Sequence, residues 1–161
     1  MIGRDPDGSG PAEAELEDPL ELFAEYGAIA AVNANAFQSL PDSKGHRNMD
    51  WFLHKPVDIV GLAASDGITR SSSVDGRSAF WIDQAGKARI GTPTEQSGCR
   101  NGVSDWSGIL LEGGRELPLR DDKLHPRTML GMDSSGRWLL LVVVDGRQPG
   151  YSDGVGLREA A

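Results

Sequence analysis

The chain has 161 residues, of which 39% are hydrophobic and 25% are charged, a composition typical of one globular domain. Its 16 basic residues stand against 24 acidic residues, so the formal net charge is -8. Because nucleic-acid-binding proteins usually carry a basic face, no DNA or RNA partner is expected. No apolar run approaches the roughly 18 residues of a membrane span. The 21 glycines favour many tight turns between short strands.

The N-terminal residues 1–17 differ in composition from the rest of the chain. They are rich in glycine, proline and acidic side chains, without a periodic apolar pattern, so a disordered tail is predicted. They also lack the apolar core of a signal peptide, and the compartment of the protein is not predicted from them. Residues 18–161 are predicted to form a single domain.

Secondary structure after this tail is predicted to be one short helix followed by hairpins. Asp18 is a typical N-cap and Pro19 suits the first helical position, so a helix is expected over residues 19–26. The small residues of 28–33 predict a buried strand. Further along, apolar runs flank glycine-containing turns at residues 65–67, 83–86, 113–114 and 133–136. The expected fold class is α+β, with a mixed, largely antiparallel sheet built of hairpins and few short helices.

The last residues, 155–161, are predicted to begin a helix that Ser152 or Asp153 caps. A helix this short is marginal in water when it is isolated, so we interpret the domain as interrupted at this point. An interrupted domain is expected to leave sheet edges uncovered. Self-association through those edges is therefore an expected property of the chain.

The last hairpin brings several charged residues to one edge of the predicted sheet. Arg127 precedes its first strand, and Asp145 and Arg147 follow its second strand, so the tight turn places these residues side by side. His125 lies next to them. Paired guanidinium groups suit oxyanions such as phosphate, and a carboxylate beside them is suited to glycosidic cleavage. From spacing alone, a turn aspartate between solvated arginines is the favoured interpretation.

Two segments resemble a known family. In residues 127–151, Arg-Thr is followed by a hairpin, Val-Val-Val-Asp-Gly-Arg and a glycine-rich lead into a helix. This arrangement resembles the characteristic segment of the phosphodiester glycosidase family. Residues 26–37 are similar to the family's small-residue strand, which ends in Asn, two small residues and an aromatic pair. Asn33 takes the Asn position, whereas Asn35 replaces a usual glycine and Ala36 replaces an aromatic residue.

The resemblance extends over residues 19–161 and implies hydrolysis of a sugar-1-phosphodiester with release of the sugar, such as N-acetylglucosamine. It also implies export from the cytoplasm. With this reaction in view, the chemistry of the side chains suggests Asp145 and His125 as catalytic candidates. The substrate-binding candidates are Asn33, Asn35, Arg127, Thr128 and Arg147. Family members continue to an Asp-Gly-Gly-Gly-Ser-Ser type of active-site loop, so weak or absent activity is expected of this chain. The alternatives are a non-catalytic glycan- or phosphate-binding module and a structural β-rich domain.

Other chemistry-bearing residues have simpler interpretations. The sequence has no Cys and His cluster at metal-ligand spacing and no phosphate-binding Gly-Lys-Ser/Thr loop, so neither a metal nor a cofactor is expected. Cys99 lies in a polar, loop-like stretch and is predicted to be a structural thiol. Trp81 and Trp138 lie in strand patterns and are predicted to pack in the core or against a cross-strand neighbour. Trp51 and Trp106 remain candidates for stacking on a sugar ring.

Overall fold

A computed structural model describes residues 1–72, 76–94, 98–119 and 122–161. Within these ranges the chain forms twelve strands and two helices, and every strand pair is antiparallel. The prediction of a hairpin-rich α+β fold is therefore confirmed. The helices are α1 (Pro19–Glu25) and α2 (Leu157–Ala160). The strands are β1 (Ala14–Glu15), β2 (Phe37–Ser39), β3 (Pro56–Ile59), β4 (Ala63–Ser65), β5 (Ile68–Ser71), β6 (Ala79–Asp83), β7 (Ala88–Gly91), β8 (Cys99–Ser104), β9 (Leu111–Glu112), β10 (Arg115–Glu116), β11 (Arg127–Met132) and β12 (Leu139–Val144).

The five-stranded sheet contains the main apolar cluster. Its strand order is β5-β4-β8-β6-β7. Along β6 the side chains of Ala79, Trp81 and Asp83 are buried in alternation with more exposed neighbours, as expected of a strand with one covered face. Leu62 packs with Ala79 and Trp81, and Cys99 packs against this cluster. Cys99 thus begins strand β8 rather than lying in a polar loop, and burial raises the pKa of its thiol.

The three-stranded sheet, in the order β1-β3-β2, differs from the prediction of a disordered tail over residues 1–17. Ala12 and Ala14 are buried, and Ala14 pairs with Val57 on β3. The backbone N–H of Arg4 donates to the Glu17 carboxylate at 2.7 Å. This part of the segment is ordered because apolar and acidic residues alternate from position 12 to 16, which gives β1 one buried face.

Helix α1 forms where its sequence predicts it. The carboxylate of Asp18 accepts a hydrogen bond from the backbone N–H of Leu20 at 2.7 Å, which satisfies one of the free donors of the first turn. The buried strand predicted over residues 28–33 is wrong. This segment is irregular, and the Ile29 side chain is fully exposed. Among the described residues, the backbone of this segment belongs to no strand pair.

The β11–β12 hairpin forms a two-stranded sheet of its own. Its register runs from Arg127 opposite Val144 to Met132 opposite Leu139. Five of the six β12 side chains are exposed, although all six are aliphatic. Trp138, just before β12, is 69% exposed, so of the two predicted environments the core is excluded for it. The apolar pattern correctly predicts a strand here, but no other described element covers its side chains.

The last residues fold back beside the start of β11. The N-cap residue of helix α2 is Gly156, which has no side chain that could accept a capping hydrogen bond. The carboxylate of Asp122 instead accepts from the backbone N–H of Arg158 at 3.0 Å. The prediction that Ser152 or Asp153 caps this helix is therefore wrong, because the helix begins later in the chain. Neither helix in the described ranges has the length and apolar composition needed to cross a bilayer.

Candidate functional site

The open end of the β11–β12 hairpin is flanked by chain on both sides. Arg127 lies opposite Val144, so the residues after β12 lie beside those that precede β11. On the other side, Val155 pairs with His125. The backbone N–H of Val155 donates to the His125 carbonyl at 3.0 Å, and the N–H of His125 donates to the Val155 carbonyl at 3.3 Å. Segment 125–127 is therefore held in the middle of three neighbouring chain segments.

Two glycines allow these segments to approach closely. A Cβ atom at Gly146 would lie 2.6 Å from the backbone nitrogen of Pro126 and 2.8 Å from the Cα of Gly154. Gly154 has φ 101° and packs on the His125 backbone, where a Cβ would lie 2.8 Å from the His125 nitrogen. Side chains at these positions would push the segments apart. The sequence indicated a turn at Gly146 but not this packing.

A cavity of about 370 Å³ opens at this point. It is lined by Trp106, Ser107, His125, Pro126, Arg127, Arg147 and Leu157. The hairpin geometry predicts the proximity of His125, Arg127 and Arg147. Trp106 was identified from the sequence only as an isolated sugar-stacking candidate. Ser107 and Leu157 were missed, because only tertiary packing brings the segment after β8 and the start of α2 to the hairpin.

The Arg127 guanidinium is half-buried and is held by neutral acceptors. Its Nε donates to the Val155 carbonyl at 3.3 Å, its Nη2 to the Lys123 carbonyl at 3.0 Å, and its Nη1 lies 3.5 Å from the Ser107 hydroxyl. These contacts fix the orientation of the group and leave its charge uncompensated. No carboxylate of the described residues forms an ion pair with it. An oxyanion ligand would supply that missing negative charge.

Arg147 provides a second cation on the same cavity. Its Nη2 lies 3.1 Å from Nδ1 of His125. Its backbone has φ 56°, in the left-handed region that side chains other than glycine, asparagine and aspartate rarely adopt. Such conformations persist where the surrounding structure holds them, and they are frequent at functional sites. Within the described ranges, Arg147 also forms no ion pair with a carboxylate.

Trp106 gives the cavity an aromatic wall. The residue is 67% exposed, and the guanidinium carbon of Arg77 lies 5.2 Å from its ring centroid. An exposed indole at a cavity rim suits stacking on the apolar face of a sugar ring. Trp51, the other stacking candidate, lies elsewhere. The buried Lys55 ammonium lies 4.3 Å from its ring centroid, and Phe37 packs against it edge-on.

Asp145 lies outside the cavity lining to which the two arginines belong. It is exposed, it does not line the cavity, and its carboxylate forms no hydrogen bond or ion pair with the described residues. Its backbone carbonyl accepts from the Ser152 hydroxyl at 2.7 Å, which holds the segment after β12 in place. The prediction of one shared patch thus describes Arg127, Arg147 and His125, but not Asp145.

The remaining predicted residues lie outside the cavity lining. The hydroxyl of Thr128 donates to the side-chain carbonyl of Asn33. Thr128 follows Arg127 in a strand, so the two side chains point to opposite faces. Asn35 donates from Nδ2 to the carbonyls of Val60 at 3.1 Å and Leu62 at 2.8 Å. It therefore ties its own loop to the segment between β3 and β4.

The donor set of this site is suited to an anion and not to a metal ion. Arginine side chains are cationic donors without a lone pair for a metal. Nowhere in ranges 1–72, 76–94, 98–119 and 122–161 do three or more His, Cys, Asp or Glu side chains group in a way that could hold a metal ion.

The fold and the cavity together define a class of protein. The protein is an α+β domain built of hairpins, and its cavity presents two arginines, an imidazole and an exposed tryptophan. These side chains suit a ligand that carries both an oxyanion and an apolar ring face. A family model described as phosphodiester glycosidase matches residues 26–161. The chain belongs to the phosphodiester glycosidase family, and the resemblance of its two sequence segments is confirmed. No solved structure matches the chain.

Proposed function

We propose that this chain binds a sugar-1-phosphodiester in the cavity and takes part in its hydrolysis, with release of the sugar. Membership in the phosphodiester glycosidase family supports this class of reaction. The observation that carries the proposal is the pair of guanidinium groups, Arg127 and Arg147, on one cavity without carboxylate partners among the described residues. Two such groups supply the charge that holds a phosphate against the overall negative charge of the chain.

The cavity has the size and lining for both parts of such a ligand. Its volume of about 370 Å³ falls in the range of small-molecule sites. In this proposal Arg127 and Arg147 contact the phosphate, and Trp106 stacks on the sugar. Asn33 and Thr128 lie on the other face of β11 and would reach only a distal part of the substrate. Asn35 holds the neighbouring loop.

Turnover is expected to be weak with the groups that the structure places here. Glycosidic cleavage usually requires two carboxyl groups, or one with a positioned water. The described residues that line the cavity include no carboxylate. Asp145 is proposed as the proton-handling residue because it follows β12 beside the cavity, but a rotation of its side chain or a movement of its segment must bring it to the substrate.

The same observation favours a second candidate function, a non-catalytic module that binds phosphate-bearing glycans. Arginines and an aromatic wall are sufficient for binding, whereas cleavage needs acid–base groups. Sugar release separates the two candidates. In the enzyme, Asp145→Asn abolishes release and leaves binding intact. In the binding module, no sugar is released by either chain.

Calorimetric titration with inorganic phosphate and with a nucleotide-activated N-acetylglucosamine tests the proposed site. We expect Arg127→Gln and Arg147→Gln each to weaken binding by about 10- to 100-fold, because a hydrogen bond to a charged group contributes about 1.5–3 kcal/mol. Binding should also weaken as salt increases. Arg137→Gln is the matched control, because Arg137 is an exposed arginine of the hairpin turn. Equal effects at all three positions would show that only net charge matters and would refute the site.

A further inference from the structure

We infer that Arg147 is a positioning residue that fixes the tautomer of His125, so that the Nε2–H of His125 donates a hydrogen bond to the bound oxyanion. The oxyanion role rests on the proposed function, whereas the tautomer is a property of the free chain. His125 thereby has a binding role, whereas the sequence suggested it as a catalytic candidate.

The contact between the two side chains determines which ring nitrogen carries the proton. Nη2 of Arg147 lies 3.1 Å from Nδ1 of His125. A guanidinium group is always a donor and has no acceptor atom, so Nδ1 must accept with its lone pair. A neutral imidazole has one N–H, and that proton therefore resides on Nε2. A protonated ring would place an N–H group against the guanidinium N–H groups and lose this contact.

The backbone of His125 leaves the ring little freedom to find another partner. Val155 pairs with it through both backbone hydrogen bonds. The following residue is Pro126, which restricts the preceding backbone to extended conformations. Gly154 packs directly against the His125 backbone. With the backbone fixed and Nδ1 occupied, Nε2 is the ring nitrogen left for a ligand in the cavity, and it has no hydrogen bond with any described residue.

The other two histidines have the opposite surroundings and provide an internal reference. Nδ1 of His46 lies 3.6 Å from the Asp42 carboxylate, and Nδ1 of His54 lies 3.4 Å from the Glu15 carboxylate. A carboxylate only accepts, so both neighbours favour a proton on Nδ1. Of the three imidazoles, only that of His125 faces a cation at Nδ1. The three tautomers can therefore be compared within one molecule.

The polar side chains that line the resulting site are mainly hydrogen-bond donors. Arg127, Arg147 and the Nε2–H of His125 all donate, and the Ser107 hydroxyl is able to donate as well. The oxygens of an ionised phosphate only accept and are able to pair with these donors. A hydroxyl or an amide group, which must also donate, would find fewer acceptors in this lining. The donor set therefore selects an anion over a neutral sugar of similar size.

The test uses the full chain labelled with ¹⁵N, at a pH where the imidazoles are neutral. Long-range proton–nitrogen spectra distinguish a protonated ring nitrogen from an unprotonated one. We expect Nε2–H at His125 and more Nδ1–H character at His46 and His54, each assigned from its His→Gln variant. Arg147→Glu replaces the donor beside Nδ1 with an acceptor, on a side chain that is also unbranched and has a similar backbone preference. This variant should shift the tautomer of His125 toward Nδ1–H. Arg147→Lys, which retains a donor, should preserve the Nε2–H form.

Titration with inorganic phosphate completes the experiment. Phosphate should shift the Nε2 resonance of His125 more than the Nδ1 resonance. His125→Leu should weaken phosphate binding about tenfold, and His125→Gln, whose amide N–H lies near the Nε2 position, should restore most of it. A wild-type Nδ1–H form overturns the inference even if phosphate binds through the arginines. An Nε2–H form without phosphate binding overturns the proposed function and the oxyanion role together.

Discussion

Two hairpins of this molecule are closed by turns of the same chemistry but differ in their surroundings. Both turns have the pattern Asp-x-x-Gly, at residues 83–86 and 133–136. The Asp83 carboxylate accepts from the backbone N–H of Lys87 at 2.9 Å, and the Asp133 carboxylate accepts from that of Arg137 at 2.9 Å. Yet β6 and β7 belong to a five-stranded sheet, whereas β11 and β12 pair only with each other among the described strands.

The strands of the two hairpins are buried to opposite degrees. Trp81 on β6 is 7% exposed within the main apolar cluster, and Trp138 beside β12 is 69% exposed. The β12 sequence is the more apolar of the two, but its side chains meet no covering layer in the described residues. Turn chemistry therefore forms a hairpin locally, whereas burial depends on distant segments. Isolated hairpins are only marginally stable in water, so the two regions should respond differently to mutation.

The largest expected effect is on the free energy of unfolding after truncation of the two tryptophans. Trp81→Ala should cost about 3–5 kcal/mol, because it removes a large buried side chain. Trp138→Ala should change stability by about 0.5 kcal/mol or less, as is usual for exposed positions. Urea unfolding monitored by circular dichroism gives both values.

A third variant separates packing from hydrogen bonding at the buried site. The indole N–H of Trp81 is buried without a hydrogen-bond partner in the described structure. Trp81→Phe retains a ring and removes this donor, so it should cost less than Trp81→Ala. If Trp138→Ala proved as costly as Trp81→Ala, the hairpin would have to be covered in solution, and the contrast between the two regions would fail.

The second expected effect concerns self-association, which we propose occurs through β12. This strand has a run of six aliphatic residues without a charge, and such a surface is complementary to itself in an antiparallel two-fold arrangement. β7, an edge strand of the five-stranded sheet, carries Arg89 instead. Leu141→Lys should weaken association at least about tenfold, because an interface with an unpaired buried ammonium group is strongly disfavoured.

Sedimentation velocity over a range of protein concentrations measures this effect. The matched control is Ile90→Lys, which introduces the same charge on β7 at a position that is 39% exposed. We expect the control to associate as the wild type does. A wild-type chain that stays monomeric, or equal loss of association in both variants, would contradict association through β12.

The contrast between the hairpins also explains which parts of the fold the sequence predicts. The turns at Asp83 and Asp133 and the cap of α1 at Asp18 depend on residues within five positions of each other, and the structure confirms them. The burial of Trp138 and the strand over residues 28–33 depend on a neighbouring layer. Periodicity indicates that a strand is able to be buried, but not which segment covers it.

In the candidate site too, local patterns predict some contacts, whereas contacts with distant segments are not predicted. Antiparallel pairing across one tight turn is sufficient to place Arg127 beside Arg147 and His125. Sequence spacing gives no direction for a side chain that follows the strand, and Asp145 accordingly lies outside the cavity lining. Trp106 reaches the cavity from the segment after β8, a contact that no local pattern encodes.

The smallest expected effect is the pH dependence of the exposed turn. Hydrogen bonds from the Ser135 side chain and then from the Trp138 backbone lower the pKa of Asp133 to about 2. Since an aspartate in an unfolded chain has a pKa of roughly 4, the ionised carboxylate stabilises the turn above that pH. This contribution is lost as the pH falls through about 2. Asp133→Asn should remove the dependence.

The pH dependence of the Asp133 turn is measured by proton–nitrogen spectra recorded between pH 5 and pH 1.5. The amide signals to follow are those of Ser135, Arg137 and Trp138, whose N–H groups donate to Asp133. The turn at Asp83 is the comparison. The pKa of Asp83 is also lowered, first by the hydrogen bond from the Lys87 backbone. In addition, Nε of Arg89 donates to the Asp83 carboxylate at 2.9 Å. Because that turn is continuous with the five-stranded sheet, neighbouring strands should hold its shape after protonation. The amide shifts should therefore spread along β11 and β12 but stay local at residues 83–87. Equally local shifts in both turns would mean that the isolated hairpin does not depend on its turn for order.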